Sequence, residues 1–452
     1  MTLRQPNLRE SVEIVAAATP PAFPELIKHL DPVWIDEALL NTGTMTLRRR
    51  RLPADRVIWL VLGMAVLRDL SIPEVARQLE LALPGSDGSL TVAPSALAQA
   101  RARLGPDPME WLFARTGSQW AGTCADADRW RGLALYGVDG TTLRVADSDE
   151  NRAFFGSQSA GAGRGVSGYP LVRLVVLMAL RSHVLAAAEF GPYRDERIYA
   201  SPLWSAVPDH SLVVVDRLYL QASILVPLTT TGHNRHWLTR AKSTTKYKVL
   251  QRLGIGDDLV EITVSDKARR QDPTLPPTFR ARAIRYQRKG HAPQVLLTSL
   301  LDPKQYPADE LRSVYHVRWE LELGFGEIKT DLLERLETIR SKSPATVEQE
   351  LWGILIAYNL IRLEMARIAD DLGVEPTQIS FVAAVSHFVE QWLWATNTLT
   401  PAAIPKRLDT MRDRMRRFVL PPRRPERVFP RAVKIKMSNY ARKRPPPKRR
   451  RK

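Results

Sequence analysis

Apolar residues in the first quarter of the chain recur at helical spacing. Leu26, Ile27 and Leu30 share one face, and so do Ile58, Leu62, Ala65 and Val66. Asp31-Pro32 offers a helix start, and Pro53 opens another helix at a position where its missing N–H costs nothing. Residues 71–79 and 94–104 predict two short helices joined by a loop containing Gly and Ser. From Leu133 the period changes: the runs LALYGVDG, VRLVVLMAL and HVLAAAEF have strand length and β-branched content. A helix-like segment over 196–206 comes next, and then a buried strand over 211–216.

Between 246 and 310 the pattern changes again. Val260, Ile262 and Val264 alternate with Glu261, Thr263 and Ser265, the period of a half-buried strand. The Pro-rich residues 272–277 and a turn at Gly290 interrupt the rest of this segment. Helix resumes at Ala308 and is expected to run past Lys329; residues 348–368 predict a long helix with a buried face. The chain thus divides into a helical N-terminal domain (1–128), a core in two parts (129–245 and 311–400), a β-rich insertion between them (246–310) and a basic C-terminal segment (401–452). Periodicity alone supports an α/β or mixed α+β fold and no more.

Composition narrows the class. A chain of 452 residues implies several domains, and 44% apolar residues suffice for a sizeable core. The longest apolar runs, over 57–67 and 174–180, are too short for a bilayer, and the N-terminus carries no secretory stretch. One cysteine, Cys124, excludes an internal disulfide and a cysteine metal cluster. The expectation is a cytoplasmic, nucleoid-associated protein with no membrane partner.

Charge is more telling: the chain carries +18, and from Pro421 onward fourteen basic residues face one acid, Glu426, so +13 of that excess sits in the tail. Such a block suits a polyanion, whose condensed counterions are released on binding. Arg48 to Arg51 add a basic run between N-terminal helices. The helices at 71–79 and 94–104 allow two readings. They could form a helix-turn-helix with Ser95, Gln99, Arg101 and Arg103 facing a DNA groove, or part of a plain helical bundle.

The sharpest chemical signal lies at Tyr315-His-Val-Arg318-Trp319-Glu-Leu-Glu322, continuing to Lys329. At about 100° per residue Tyr315, Arg318, Glu322 and Lys329 fall within an arc of roughly 60°, while Glu320 and Glu327 point more than about 100° away. Gly326 shares the face, where a substrate backbone could approach. Arg318 and Glu322 are four apart, so an exposed face with an ordinary i, i+4 ion pair is the competing account.

Tyr-x-x-Arg-x-x-x-Glu-x-x-x-x-x-x-Lys resembles the signature of the insertion-sequence-four family of DDE transposases, matched here at full spacing. Asp139, in Tyr-Gly-Val-Asp-Gly-Thr-Thr, is read as ending the first strand before an exposed turn at Gly140, and it resembles the family's Asp-Gly-Thr segment. Asp216, in Val-Val-Val-Asp-Arg-Leu-Tyr, ends the fourth strand and resembles the second Asp motif, although Leu218 stands where members often carry Gly. Phe-Pro-Glu-Leu-Ile, Trp34-Ile-Asp-Glu-Ala-Leu, Arg-Arg-Arg-Arg-Leu-Pro, Leu336-Glu-Thr-Ile-Arg and Arg431-Ala-Val-Lys-Ile-Lys extend the resemblance over most of the chain.

The resemblance implies an RNase H-like core and a catalytic and metal-binding triad of Asp139, Asp216 and Glu322. It implies two Mg2+ ions, with Mn2+ as a substitute. Asp139 would be shared between the ions, with Asp216 and Glu322 each completing one site. Hard cations take oxygen ligands, and a pair of them suits in-line displacement at phosphorus. Tyr315 and Arg318 would hold transposon-end phosphates, Lys329 would add a point charge, and Trp319 would either stack on an extruded base or pack within the protein. The partners implied are double-stranded DNA, as inverted-repeat ends and target, and a second copy of the chain. His233 and His236 read as loop histidines, Gly161 to Gly165 as a flexible loop, and Glu189, Asp195 and Glu196 as acids in surface pairs. The competing functions are a DNA-binding protein that has lost catalysis and a general RNase H-like nuclease.

Overall fold

The computed structural model describes residues 29–45, 51–83, 92–156, 168–287, 292–333, 338–397 and 418–421. The Gly-rich segment at 161–165, the arginines at 48–50, Gly290, Leu336 and the basic residues from 422 onward lie outside these.

Among the described residues five helices come first. Helix α1 (Pro32–Asn41) starts where Asp31 accepts a hydrogen bond from the Val33 N–H at 2.9 Å. Helix α2 (Ala54–Val66) begins after Pro53 and is buried from Arg56 to its end, so it is a core helix. Helices α3 (Ile72–Gln78), α4 (Pro94–Leu104) and α5 (Asp107–Ala127) complete the set.

The groove-reading geometry is not found in α3 and α4. Residues 79–93 separate them, far more than the three- or four-residue turn of a helix-turn-helix. Arg101, whose spacing made it a possible groove contact, is buried and donates to Gln349 Oε1 at 2.9 Å, to the Ser341 hydroxyl at 2.9 Å and to the Thr346 carbonyl at 3.0 Å. Ser95, Gln99 and Arg103 are exposed. The bundle reading accounts for these helices.

Strands β1 (Ala134–Val145), β2 (Leu171–Ala179) and β3 (Leu185–Pro192) come next, with α6 (Asp149–Phe155) between the first two. After β3 come α7 (Glu196–Leu203), β4 (Ser211–Val215), a 3-10 turn (Arg217–Tyr219), α8 (Ala222–Thr230) and β5 (Arg235–Arg240). Strand order in the sheet is β3-β2-β1-β4-β5. The first three strands are antiparallel, and β1, β4 and β5 run parallel. This is the arrangement expected of an RNase H-like core. His236, expected in a loop, lies in β5 and pairs with Leu212 of β4.

The β-rich insertion is present as β6 (Lys248–Gly254), β7 (Asp257–Thr263), β8 (Thr278–Tyr286) and β9 (Gln294–Thr298), with α9 (Asp266–Gln271) between β7 and β8. It is not a separate sheet: β9 pairs antiparallel with β5, so the insertion extends the core sheet.

The long helix expected from Ala308 past Lys329 is broken. Helix α10 (Ala308–Val317) gives way at Arg318 to α11 (Trp319–Gly326), and residues Glu327–Leu332 wind as a π-helix. A two-residue strand not anticipated from the sequence, β10 (Thr338–Ile339), then pairs parallel with the end of β1. Helix α12 (Pro344–Leu372) is buried nearly all round and packs between α2 and α5. A side chain at Gly353 would meet Val61 Cγ1 at 2.6 Å, so the glycine permits the close approach of α12 to α2. Helix α13 (Phe381–Asn397) ends the described core.

A buried ionic cluster joins the N-terminal helices to this core. Arg68 donates to Glu350 at 2.7 Å with both side chains fully buried. Glu350 also accepts from the Arg340 and Ser341 N–H groups at 3.2 and 3.0 Å. Arg340 in turn donates to the carbonyls of Met64 and Leu70 beyond it.

Candidate active site

Strands β1 and β4 bring two of the expected acids side by side. Val138 pairs with Val215, so Asp139 follows on β1 and Asp216 is the first residue beyond the end of β4. Asp216 leaves β4 as expected and caps the adjoining 3-10 turn, accepting from the Arg217 N–H at 2.6 Å. Asp139 does not end its strand. Beta pairing with β2 continues from Asp139 opposite Val176 to Arg144 opposite Leu171, because the polar stretch Gly140 to Thr142 still has a partner strand. Its carboxylate accepts from the Gly140 N–H at 2.9 Å.

The turn expected at Gly140 is therefore extended strand, and the glycine serves another purpose. A Cβ there would lie 2.5 Å from Glu196 Cδ. Glu196, expected in a surface pair, instead rests on the backbone beside Asp139. Its carboxylate accepts from the Tyr219 hydroxyl at 2.7 Å and pairs with Arg173 at 3.4 Å. Asp195 does form the exposed pair expected of it, with Arg197, and Glu189 is half-buried on β3.

The third acid reaches the sheet by close helix packing. A Cβ on Gly137 would meet Leu321 Cδ1 at 2.7 Å and Leu180 Cδ2 at 2.8 Å, and one on Gly324 would meet Met178 Cε at 2.5 Å. Two glycines thus let α11 sit on β1 and β2 at short range. Glu322 is bonded to Leu321 and is 38% exposed. Arg318 donates to Glu322 Oε1 at 3.0 Å and lies 3.9 Å from Asp139 Oδ2, so one guanidinium spans the two acids.

Burial pushes the Asp139 carboxyl up to about 6; the Gly140 N–H opposes this, Glu196 adds to it, and Arg318 and Asp216 act with opposite signs. Tyr315 is buried, which raises its hydroxyl, against the pull of Arg318 and then Arg240. Arg240 ends β5 beside this face and gave no signal in the sequence, since the whole insertion separates it from Tyr315. Trp319 is 51% exposed. Lys329 is half-buried in the π-helical segment, where i→i+5 bonding replaces the 100° step that put it on the common arc.

Glu320 and Glu327 point away from Glu322, as the angular arithmetic requires, and they have partners that no motif announced. His183, buried in the turn between β2 and β3, has Nε2 2.9 Å from Glu320 and Nδ1 3.2 Å from Glu327. Glu327 also accepts from Tyr358 at 2.7 Å and from Arg362 at 3.3 Å. This cluster fastens the far side of α11 to the sheet and to α12.

Among the described residues, no three His, Cys, Asp or Glu side chains converge closely enough to hold a metal ion. Glu322 is turned to Arg318 instead of closing on the two aspartates. The donor set still suits a hard divalent cation, being all carboxylate oxygen. Of these carboxylates, Asp139 and Glu322 share the Arg318 guanidinium and Glu196 pairs with Arg173. Among the described residues no helix is long and apolar enough to cross a membrane.

Residues 20–114 match the family described as insertion element 4 transposase N-terminal, and residues 131–360 match the transposase DDE domain. Transposases with that domain generally use divalent metal ions. The transposase InsG for insertion sequence element IS4 of Escherichia coli (strain K12) is 37% identical over 91% of this chain and 92% of its own length. A putative transposase InsZ of the same organism is 38% identical over 49% of this chain and 73% of its own length. A solved piggyBac transposase synaptic complex with hairpin DNA overlaps at a TM-score of 0.40 and 11% identity, covering 88% of this chain and 85% of that one. On the strength of the domain match and the near full-length relative, the chain belongs to the insertion-sequence-four family of DDE transposases.

Proposed function

We propose that this transposase binds the inverted-repeat ends of its own element and cleaves and transfers DNA strands at a centre made by Asp139, Asp216 and Glu322. The observation that carries the reading is the pairing of Val138 with Val215, which sets Asp139 and Asp216 directly beyond one shared rung, with Glu322 on a helix seated two residues away at Gly137. Asp139 would be shared between two Mg2+ ions, with Asp216 and Glu322 each completing one site and Mn2+ substituting. Such ions supply positive charge to the attacking and leaving oxygens of a phosphodiester.

The chain's own cations do the rest. Arg318, held by Glu322 and Asp139 in the free chain, offers a planar fork to a terminal phosphate, with Tyr315 beside it. Lys329 adds a point charge, and the exposed Trp319 provides a stacking face for a base. The helical N-terminal part (1–128) and the basic segment (401–452) contribute DNA contacts, and two ends require two copies of the chain.

Incubating the purified chain with an end-containing duplex and Mg2+ tests this. Wild type nicks at the end; Asp139→Ala, Asp216→Ala and Glu322→Ala bind the duplex and leave it intact. Equal cleavage by Asp139→Ala and wild type overturns the assignment. End binding without nicking in either Mg2+ or Mn2+ would instead mark a DNA-binding protein that has lost catalysis.

A further inference from the structure

Glu196 opens α7 with Asp195 as its cap, and its side chain is only 16% exposed. Three neighbours fix it. Tyr219, three residues beyond Asp216 and itself fully buried, donates to Oε1 at 2.7 Å. Arg173, on the strand that flanks β1, approaches Oε2 at 3.4 Å and stacks over the Tyr193 ring at 4.9 Å. The carboxylate also lies flat on Gly140: a Cβ there would be 2.6 Å from Oε2. Tyr219 is held in turn by Trp204, edge-on at 5.3 Å.

These contacts form one strut. At one end is the turn that carries Asp216, and at the other is the strand position next to Asp139. The backbone register sets the two aspartates as neighbours, but the turn after β4 is outside the strand and has no ladder to hold it. The Tyr219 hydroxyl is the link that returns that turn to β1 by way of Glu196. Both carboxylate oxygens of Glu196 are engaged, one by a hydroxyl and one by a guanidinium, which separates its role from that of the open acids. We infer that Glu196, with Tyr219 and Gly140, is a positioning group that fixes the separation of Asp139 and Asp216, resting on their reading as the metal-binding acids.

The test uses the full chain and three substitutions. Glu196→Gln keeps the shape and the Tyr219 contact but removes the charge opposite Arg173. Tyr219→Phe removes a single oxygen atom, and Gly140→Ala pushes the carboxylate off the strand. Mn2+ affinity is read by calorimetry on the purified protein, and the Mg2+ concentration for half-maximal nicking is read on an end duplex. Loss of such an outer support weakens metal affinity by roughly 10–100-fold. We expect that weakening in all three variants, with end affinity unchanged and Tyr219→Phe/Glu196→Gln no worse than the weaker single. Where Glu196→Gln lowers the yield of folded protein, Tyr219→Phe carries the decision. Wild-type metal affinity and metal dependence in Tyr219→Phe overturn the strut. Asp139→Ala runs alongside: if it binds Mn2+ and nicks like wild type, the triad assignment has failed, whereas an inert Asp139→Ala with a wild-type Tyr219→Phe removes the strut alone.

Discussion

Gly137→Ala is the most economical way to ask whether the seat of α11 sets the position of Glu322. The added methyl carbon would stand 2.7 Å from Leu321 Cδ1, 2.8 Å from Leu180 Cδ2 and 3.1 Å from Leu321 Cγ. Carbon atoms prefer about 3.5–4.0 Å, so Leu321 must withdraw by roughly 0.5–1 Å. Leu321 and Leu180 are both fully buried, so the move is made against other core side chains. Overpacking of this kind costs about 1–3 kcal/mol, partly offset by about 0.4–1 kcal/mol because alanine restricts the unfolded chain. The net loss should be about 1–2 kcal/mol in urea denaturation. The larger effect is on chemistry, because Glu322 is bonded directly to the displaced residue. A misplacement near 1 Å can cost on the order of 100-fold in rate. Single-turnover nicking should therefore fall far more than stability, with end binding unchanged. Leu321→Ala in the same chain removes the clash and should recover part of the rate, although the cavity costs further stability. A Gly137→Ala protein with wild-type nicking and stability would refute the idea that this glycine seats the helix.

Two further perturbations test the buried charges. Glu350→Ala removes the carboxylate that pairs with Arg68 in a fully buried site and accepts from the Arg340 and Ser341 N–H groups, and should cost about 3–5 kcal/mol in urea denaturation; wild-type stability in this variant would refute the cluster's role. Arg362 and then His183 overcome the burial penalty at Glu327 and hold its carboxyl down to about 2. A depressed carboxyl stabilises above its unfolded value near 4.5, and that contribution is lost as pH falls through 2, so wild type should exceed Glu327→Gln by roughly 3 kcal/mol at pH 7. The gap should close between about pH 4.5 and 2; a gap independent of pH would remove the ionic account.

The acids themselves were legible, but their surroundings were not. Asp216 comes after five buried strand residues, a pattern visible in any window. Glu322 emerges from angular arithmetic because α10 and α11 nearly continue one another over the seven residues from Tyr315. The winding around Lys329 is π-helical, which apolar spacing does not encode. Asp139 was visible as an acid after an apolar run, yet its mid-strand place depends on pairing with β2, some thirty residues on. Glu196 reads as a surface acid because its partners are distant: Gly140, before two intervening strands, and Tyr219, beyond another. Arg101 misled because an arginine on a short basic helix reads as exposed, while its partners Ser341 and Gln349 lie 240 and 248 residues further along the chain. Local periodicity carries information about elements, and distant pairing decides which polar residues are buried.

Why, then, would α11 be anchored by buried charge on its far side at all? A buried ion cluster is weak evidence for stability, since well-packed apolar residues of the same volume serve about as well. Its better-supported use is to fix register. Leu321 on Gly137 and Gly324 on Met178 let the helix lie close to the sheet, but apolar contacts of this kind discriminate poorly against a slide along the strand. His183 sits in the turn between β2 and β3 and addresses Glu320 on α11 and Glu327 at the start of the π-helical segment, seven residues apart, at the same time. A slide by one helical turn would leave both carboxylates buried against the wrong partners, a cost that apolar packing cannot impose. The backbone at Glu322 is thereby held to one register, with its side chain on the Arg318 guanidinium that also lies 3.9 Å from Asp139.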